Sequence, residues 1–312
     1  MPNPPWITIA IPSYNRAPLL ERAVRSVLAQ SDSGWELWIV DDQSTDGAWE
    51  LAQAATQWSP GIHAERNTEN LGLSGNFRRA ATKGRAPYVL LLAADDYLEP
   101  TFLDKVHAVV ATDPELALVS GRRVQHRPGK RGNRYYATPL CGRFEAGQTI
   151  ARALAHGNLY GLYSSVVVRR DALESIGGVP ADNPWAGDFE AWVNIAARYP
   201  IYFAPSALAF QHLGQDTQTA RFLATGRLVA YEWKTLRRLL SDESVTVHLS
   251  PKDQQAAERR IVALWWSVNL YRLLRGGPCP PLSSQRPAVH AAFVPTVLTL
   301  MKLWYNRLRL TY

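Results

Sequence analysis

The chain has 312 residues, 46% hydrophobic and 20% charged, a make-up that suits a soluble globular protein of one large domain or one domain with an appended module. Its net charge of +7 is uneven: residues 1–217 carry 20 basic and 22 acidic side chains, a balance of −2, while residues 218–312 carry 14 and 5, a balance of +9. The two cysteines, Cys141 and Cys279, lie far apart, which excludes a disulfide framework or cysteine metal cluster and points to a reducing, cytoplasmic setting. The opening MPNPPWITIAIPSYNR has neither the order of a signal peptide nor an apolar run long enough to span a membrane.

In chain order, WITIAIP (Trp6–Pro12) is rich in β-branched residues and reads as a buried strand. APLLERAVRSVLAQ places Leu19, Leu20, Ala23, Val24, Val27 and Leu28 on one helical face. WELWIVDD is a second strand ending on Asp41 and Asp42, and the helix after it takes Ser44 or Thr45 as its N-cap. GIHAERN is a short strand, and SGNFRRAATKG a helix closed by Gly84. PYVLLLAADD is the next strand, PTFLDKVHAVVATDP a helix with Pro100 at its start, and ELALVSGRR a further strand. Repeated β-α units with apolar strands predict a mostly parallel, Rossmann-like α/β sheet covered by helices. Ligands of such sheets bind beyond the carboxyl ends of the strands, where Ser13–Arg16, Asp41–Asp42 and Asp95–Asp96 all fall.

Residues 125–147 are irregular and basic, a loop or small hairpin over the site. YGLYSSVVVRRDALESIGG reads as a strand and a short helix, and AGDFEAWVNIAARYP as a helix beginning near Asp188. Beyond residue 218 the pattern is helical, with Trp265, Trp266, Tyr271, Trp304 and Tyr305 among Arg259, Arg260, Arg272, Arg275, Lys302, Arg307 and Arg309. Two readings stand for that segment: peripheral contact with an anionic membrane, or a helical pair packed on the rest of the chain or on a second copy in a homodimer.

The paired carboxylates carry the chemistry. Asp95 and Asp96 are either a solvated cap after a strand or one side of a Mg²⁺ or Mn²⁺ site completed by substrate phosphates. Asp41 and Asp42 are either a cap and turn or the acceptors for a nucleobase or ribose. No G-x-G-x-x-G follows the first strand and no P-loop appears, which argues against dinucleotide binding and against P-loop ATPases. Nucleic acid is not expected as a partner: no recognised motif backs it, and without a metal the acidic strand ends repel phosphate.

Taken together and in order, P-S-Y-N-R, V-D-D-x-S-T-D, N-x-G and the D-D strand end resemble the N-terminal half of family-2 glycosyltransferases. The likeness is close over residues 6–121 and looser to about 215. It implies a GT-A type catalytic domain over 1–217, with a nucleotide-binding half to 121 and an acceptor-side half after it, followed by the basic helical region 218–312. It implies an inverting, metal-dependent transfer from a UDP-, dTDP- or GDP-linked sugar to a hydroxyl acceptor, soluble or lipid-linked, in glycoconjugate synthesis. On that likeness Pro12 and Tyr14 line the base pocket and Asp42 bonds the base. Asn70 and Asn76 border the nucleotide, Asp95 bonds the ribose, and Asp96 binds the metal. Asp188 is the general base, and His212 faces metal or phosphate. Two positions depart from the pattern, Ala93 and Gly187, each where relatives often carry an acid. They keep open an alternative, a catalytically inactive sugar-nucleotide-binding subunit. Trp185 and Trp192 flank Asp188; Trp192 is expected in the core, and Trp185 either packs or stacks on an acceptor sugar. QTARF (218–222) only faintly echoes a Q-x-x-R-W motif.

Overall fold

A computed structural model describes residues 4–126, 134–135, 140–213 and 228–274. The QTARF stretch and the aromatic and basic residues after 274 lie outside the described residues. So do the side chains of Trp265, Trp266, Tyr271 and Arg272. The sheet runs β3 (Ile62–Arg66), β2 (Trp35–Asp41), β1 (Ile7–Ser13), β4 (Tyr88–Leu91), β9 (Val166–Arg169), β6 (Leu118–His126), β10 (Ile201–His212), β5 (Tyr97–Leu98). β3, β2, β1 and β4 are parallel, as are β6 and β10, while β9 enters between the two groups antiparallel to both neighbours. The expected mostly parallel α/β sheet is therefore present. Of the basic stretch 125–147, β7 (Arg134–Tyr135) pairs with β6 and β8 (Gly142–Phe144) with β10.

Alternation along the strands divides the core in two. Ile7, Ile9 and Ile11 with Leu37 and Ile39 pack under α1 (Ala17–Leu28), α2 (Ala48–Ala55) and α4 (Phe102–Thr112). Ala10, Val40, Val89 and Leu91 face α3 (Gly72–Ala81), α5 (Ile150–His156) and α7 (Gly187–Arg198) on the other side. α6 (Arg170–Ser175) follows β9. The helices α8 (Leu228–Leu239), α9 (Glu243–Thr246) and α10 (Pro251–Leu274) add Leu236, Leu239, Val245, Ala257 and Ile261 to the core that α7 shares. Among the described residues no helix is long and apolar enough to cross a membrane.

Three local expectations need correcting. α2 begins at Ala48 behind Gly47, whose φ of 89° only glycine adopts readily, and neither Ser44 nor Thr45 caps it. Both are spent on the neighbouring loop: the Asn15 N–H donates to Ser44 Oγ at 2.9 Å, and the Thr45 N–H donates to Asn15 Oδ1 at 2.8 Å. Asn15 itself has φ 49°, a region that asparagine tolerates better than most residues. Pro100 likewise stands ahead of α4, whose N-cap is Thr101. Nor does Gly84 cap α3, whose C-cap is Thr82; Gly84 stands two residues beyond it, with φ 68°. A Cβ there would run into the side chains of Glu36 and Thr8.

Candidate active site

Strand register brings the polar clusters together. Ser13 pairs with Asp41 at the carboxyl ends of β1 and β2, and β4 ends beside β1. The doubled aspartate after β2 divides into two jobs. Asp41 is fully buried, its Oδ2 meeting Arg66 Nε at 3.1 Å and the Ser44 N–H at 3.1 Å, so it is structural. Asp42 faces a cavity, and its Oδ1 accepts from Asn67 Nδ2 at 2.7 Å and from the Leu71 N–H at 2.8 Å. Asn70 Nδ2 donates to the Asp42 carbonyl at 2.9 Å. Asn76 is buried; its Nδ2 donates to the carbonyls of Ser13 (3.3 Å) and Val40 (3.2 Å), tying β1 to β2. Tyr14 stands 49% exposed at the mouth.

The pair after β4 also divides. Asp96 is 4% exposed; its Oδ2 accepts from Ser164 Oγ at 2.6 Å and its Oδ1 from the His212 N–H at 3.0 Å. Asp95 is the more open of the two, and its carbonyl accepts from Arg22 Nη2 at 2.6 Å. Burial pushes both carboxyls up, and for Asp96 the charge of Asp95 adds to the rise. A buried pair that resists carrying two negative charges is the environment a divalent cation relieves. Burial and the nearby Arg22 push His212 down, so its imidazole stays neutral and offers a nitrogen lone pair. His212 Nδ1 is buried without a hydrogen-bond partner among the described residues. No group of three such ligands there is arranged to hold a metal on its own. The donor set therefore fits a Mg²⁺ or Mn²⁺ ion that takes its remaining ligands from phosphate and water.

Asp188 lines the same cavity from the first turn of α7, 7% exposed, with Oδ1 accepting from the Phe189 N–H at 2.7 Å. Burial pushes its carboxyl up to about 7; the Glu232 charge adds to this, while the Phe189 N–H and Arg123 act against it. That value leaves it poised to take a proton near neutral pH. Trp192 is in the core, as expected, donating from Nε1 to the Gly161 carbonyl.

The cavity measures about 430 Å³, and Pro12, Tyr14, Asp42, Asn70, Asn76, Asp95, Asp96, Asp188 and His212 all line it. Tyr163 and Ser164 line it too, and no sequence motif marked them. Both positions that depart from the family pattern meet this dipeptide. The Ala93 N–H donates to Ser164 Oγ at 3.1 Å, and a Cβ on Gly187 would stand 2.9 Å from the Tyr163 hydroxyl. Tyr163 is wedged between Phe77 and Trp192, which fixes its ring.

Comparison with known proteins places this geometry in a family. The profile described as Glycosyl transferase family 2 matches residues 8–177, more than half of the chain. The chain belongs to this family. It is a glycosyltransferase, and its sheet is of the GT-A type. The uncharacterized protein MT1568 of Mycobacterium tuberculosis is 30% identical over 274 residues, 85% of this chain and 82% of that protein. Among solved structures, S. aureus TarS 1–349 in complex with UDP-GlcNAc superposes with a TM-score of 0.60 at 13% identity, over 86% of this chain and 87% of that one. The mannosyltransferase PcManGT from Pyrobaculum calidifontis, in complex with GDP-Man and Mn²⁺, gives 0.56 at 18% identity, over 96% and 84%. At such identities these two likenesses concern the fold alone.

Proposed function

We propose that this family-2 glycosyltransferase moves a sugar from a nucleotide-diphospho-sugar to a hydroxyl acceptor, with inversion at the anomeric carbon. The observation that carries the reading is that one cavity is lined by Tyr14, Asp42, Asp95, Asp96, His212 and Asp188 together. Neighbours of the same fold are described with UDP-GlcNAc and with GDP-Man and Mn²⁺, which supports a nucleotide sugar and a divalent cation here.

Tyr14 and Pro12 bind the base, and Asp42 accepts from its N–H edge. Asn67 and the Leu71 N–H hold that carboxylate in place. Asp95 takes the ribose hydroxyls, and Asp96 and His212 would hold the cation. When bound, such an ion neutralises charge on the departing diphosphate, a Lewis-acid contribution. Asp188 accepts the acceptor hydroxyl's proton as that oxygen bonds to the anomeric carbon and the bond to diphosphate breaks. A cytoplasmic setting fits the exposed free thiol of Cys141. The test is product analysis by NMR with α-linked nucleotide sugars. A β-linked product supports inversion, and an α-linked product contradicts it. Donor binding with no turnover on any hydroxyl acceptor would favour the inactive-subunit alternative.

A further inference from the structure

Tyr163 and Ser164 link the two groups between which transfer takes place. Ser164 Oγ donates to Asp96 Oδ2, on the side of the departing diphosphate. The Tyr163 hydroxyl sits against Gly187, the first residue of α7 and the one before Asp188. The anomeric carbon of the transferred sugar must lie between those groups, because the bond to diphosphate breaks there as the bond to the acceptor oxygen forms. A cavity-lining side chain that spans them is placed to meet that sugar.

The tyrosine ring has little freedom. Its centre is 4.8 Å from that of Phe77 and 5.6 Å from that of Trp192, the latter pair edge to face. The ring therefore carries its hydroxyl to a fixed point. Among the described residues that hydroxyl makes no hydrogen bond. It keeps its proton, because burial pushes the phenol well above its ordinary range and the charges of Asp188 and Glu190 add to the rise. A fixed donor in a cavity wall is costly to leave unpaired, and a ligand that supplies an acceptor relieves that cost.

Gly187 makes room for this donor. A Cβ there would stand 2.9 Å from the Tyr163 hydroxyl, whereas its next neighbours, the Pro180 carbonyl at 3.7 Å and Asn183 Cβ at 3.9 Å, are at ordinary contact. Gly187 is not among the glycines with positive φ, so its backbone does not itself call for glycine. The hydroxyl is what excludes a side chain at this position. Where relatives often carry an acid, this chain presents a neutral donor in place of an acceptor-only carboxylate.

We infer that Tyr163 is a substrate-binding residue whose hydroxyl donates to an oxygen substituent of the transferred sugar, so that the enzyme selects donors bearing that oxygen over their deoxy counterparts. This rests on the glycosyltransferase reading above and names a class of donor. A site built to bond a substrate oxygen rejects the analogue without it, because the protein's own donor is then left unpaired. The departure at Gly187 thereby gains a function other than lost activity.

The test titrates the full chain, in Mn²⁺, with UDP-glucose, UDP-galactose, UDP-N-acetylglucosamine, dTDP-glucose and GDP-mannose. The donor that binds is then compared with its deoxy forms, one ring position at a time, on wild type, Tyr163→Phe, Gly187→Ala and the double variant. Nucleoside diphosphate, which lacks the sugar, is the internal reference. One deoxy form should bind wild type roughly 10–100-fold more weakly than the parent donor. Tyr163→Phe keeps the clamped ring; it should lose a similar factor on the parent donor, treat parent and deoxy form alike, and bind nucleoside diphosphate as wild type does. Gly187→Ala should mimic it, and should cost little more when Tyr163→Phe is already present, because the atom the new methyl meets is gone. A deoxy penalty that survives Tyr163→Phe overturns the inference. So does an equal loss of nucleoside diphosphate affinity, full additivity of the two substitutions, or equal binding of every deoxy form by wild type. If wild type binds none of these nucleotide sugars, the glycosyltransferase reading itself is contradicted and the inference falls with it.

Discussion

The Ser164 hydroxyl donates to Oδ2 of Asp96 at 2.6 Å across 68 residues of sequence, and Ser164 Oγ itself accepts from the Ala93 N–H at 3.1 Å. One side chain thus fixes the strand end and its buried carboxylate. Ser164→Ala removes a donor to the charged form, which pushes Asp96 further up. Nucleoside diphosphate binding in Mn²⁺ should then weaken most at low pH and recover as pH rises. Calorimetry between pH 6 and 9 checks this; an unchanged pH dependence would remove Ser164 from the account.

Asp188→Asn should keep donor binding and lower turnover on the order of 10²–10⁴-fold, since an amide cannot take the hydroxyl proton. In the wild type, turnover should rise with pH through about 7. The same substitution should stabilise the fold. A carboxyl raised to about 7 from an ordinary 3.8 holds a proton in the folded chain that the unfolded chain releases, so stability falls as pH climbs between those values. Asparagine keeps an acceptor for the Phe189 N–H and never bears that charge. Urea melts should show the variant ahead of wild type at pH 8, and the two nearly level at pH 4.

Asn76→Ala should cost about 2–4 kcal/mol, because it strips partners from two buried carbonyls, Ser13 and Val40, and from Asn67. Since those carbonyls sit where β1 and β2 present Tyr14 and Asp42, nucleotide affinity should fall as well. A chemical melt paired with a nucleotide titration reads both. A stability loss below about 0.5 kcal/mol would mean water replaces the amide.

The aromatic and basic residues after position 264 carry a separate expectation, reversible salt-sensitive binding to anionic lipid. Charge attraction at a membrane is screened within about 8–10 Å at physiological ionic strength. Liposome flotation at low and high salt decides it. A chain that stays in solution with anionic vesicles at low salt favours the packing or dimer reading instead.

The strand ends are legible because apolar runs stop on polar clusters at the spacing of β-α units, which points to Tyr14, Asp42, Asp95 and Asp96; Pro12, Asn70, Asn76, Asp188 and His212 come from the family resemblance, and all nine line one cavity. How each aspartate pair divides was not legible. Asp41 is claimed by Arg66 on β3, and Asp96 by Ser164 and the His212 N–H, partners remote in sequence that no local pattern announces. The positive charge beyond residue 217 fits either an outside partner or packing on the chain itself; at Lys234, Arg238 and Arg260 the partner is the chain's own acids. The caps on α2 were misplaced because Ser44 and Thr45 bond across to Asn15, a tertiary contact that outcompetes a local one.

The most direct test of the central claim is calorimetric titration of UDP-, dTDP- and GDP-sugars, with and without Mn²⁺, into wild type, Asp96→Ala and Asp188→Asn. The account predicts that a nucleotide sugar binds wild type only with the metal, that Asp188→Asn binds it equally well, and that Asp96→Ala does not. At 100 times its dissociation constant that donor should also add roughly 2.7 kcal/mol of stability. If no nucleotide sugar binds, or if binding ignores both metal and Asp96, the account is contradicted.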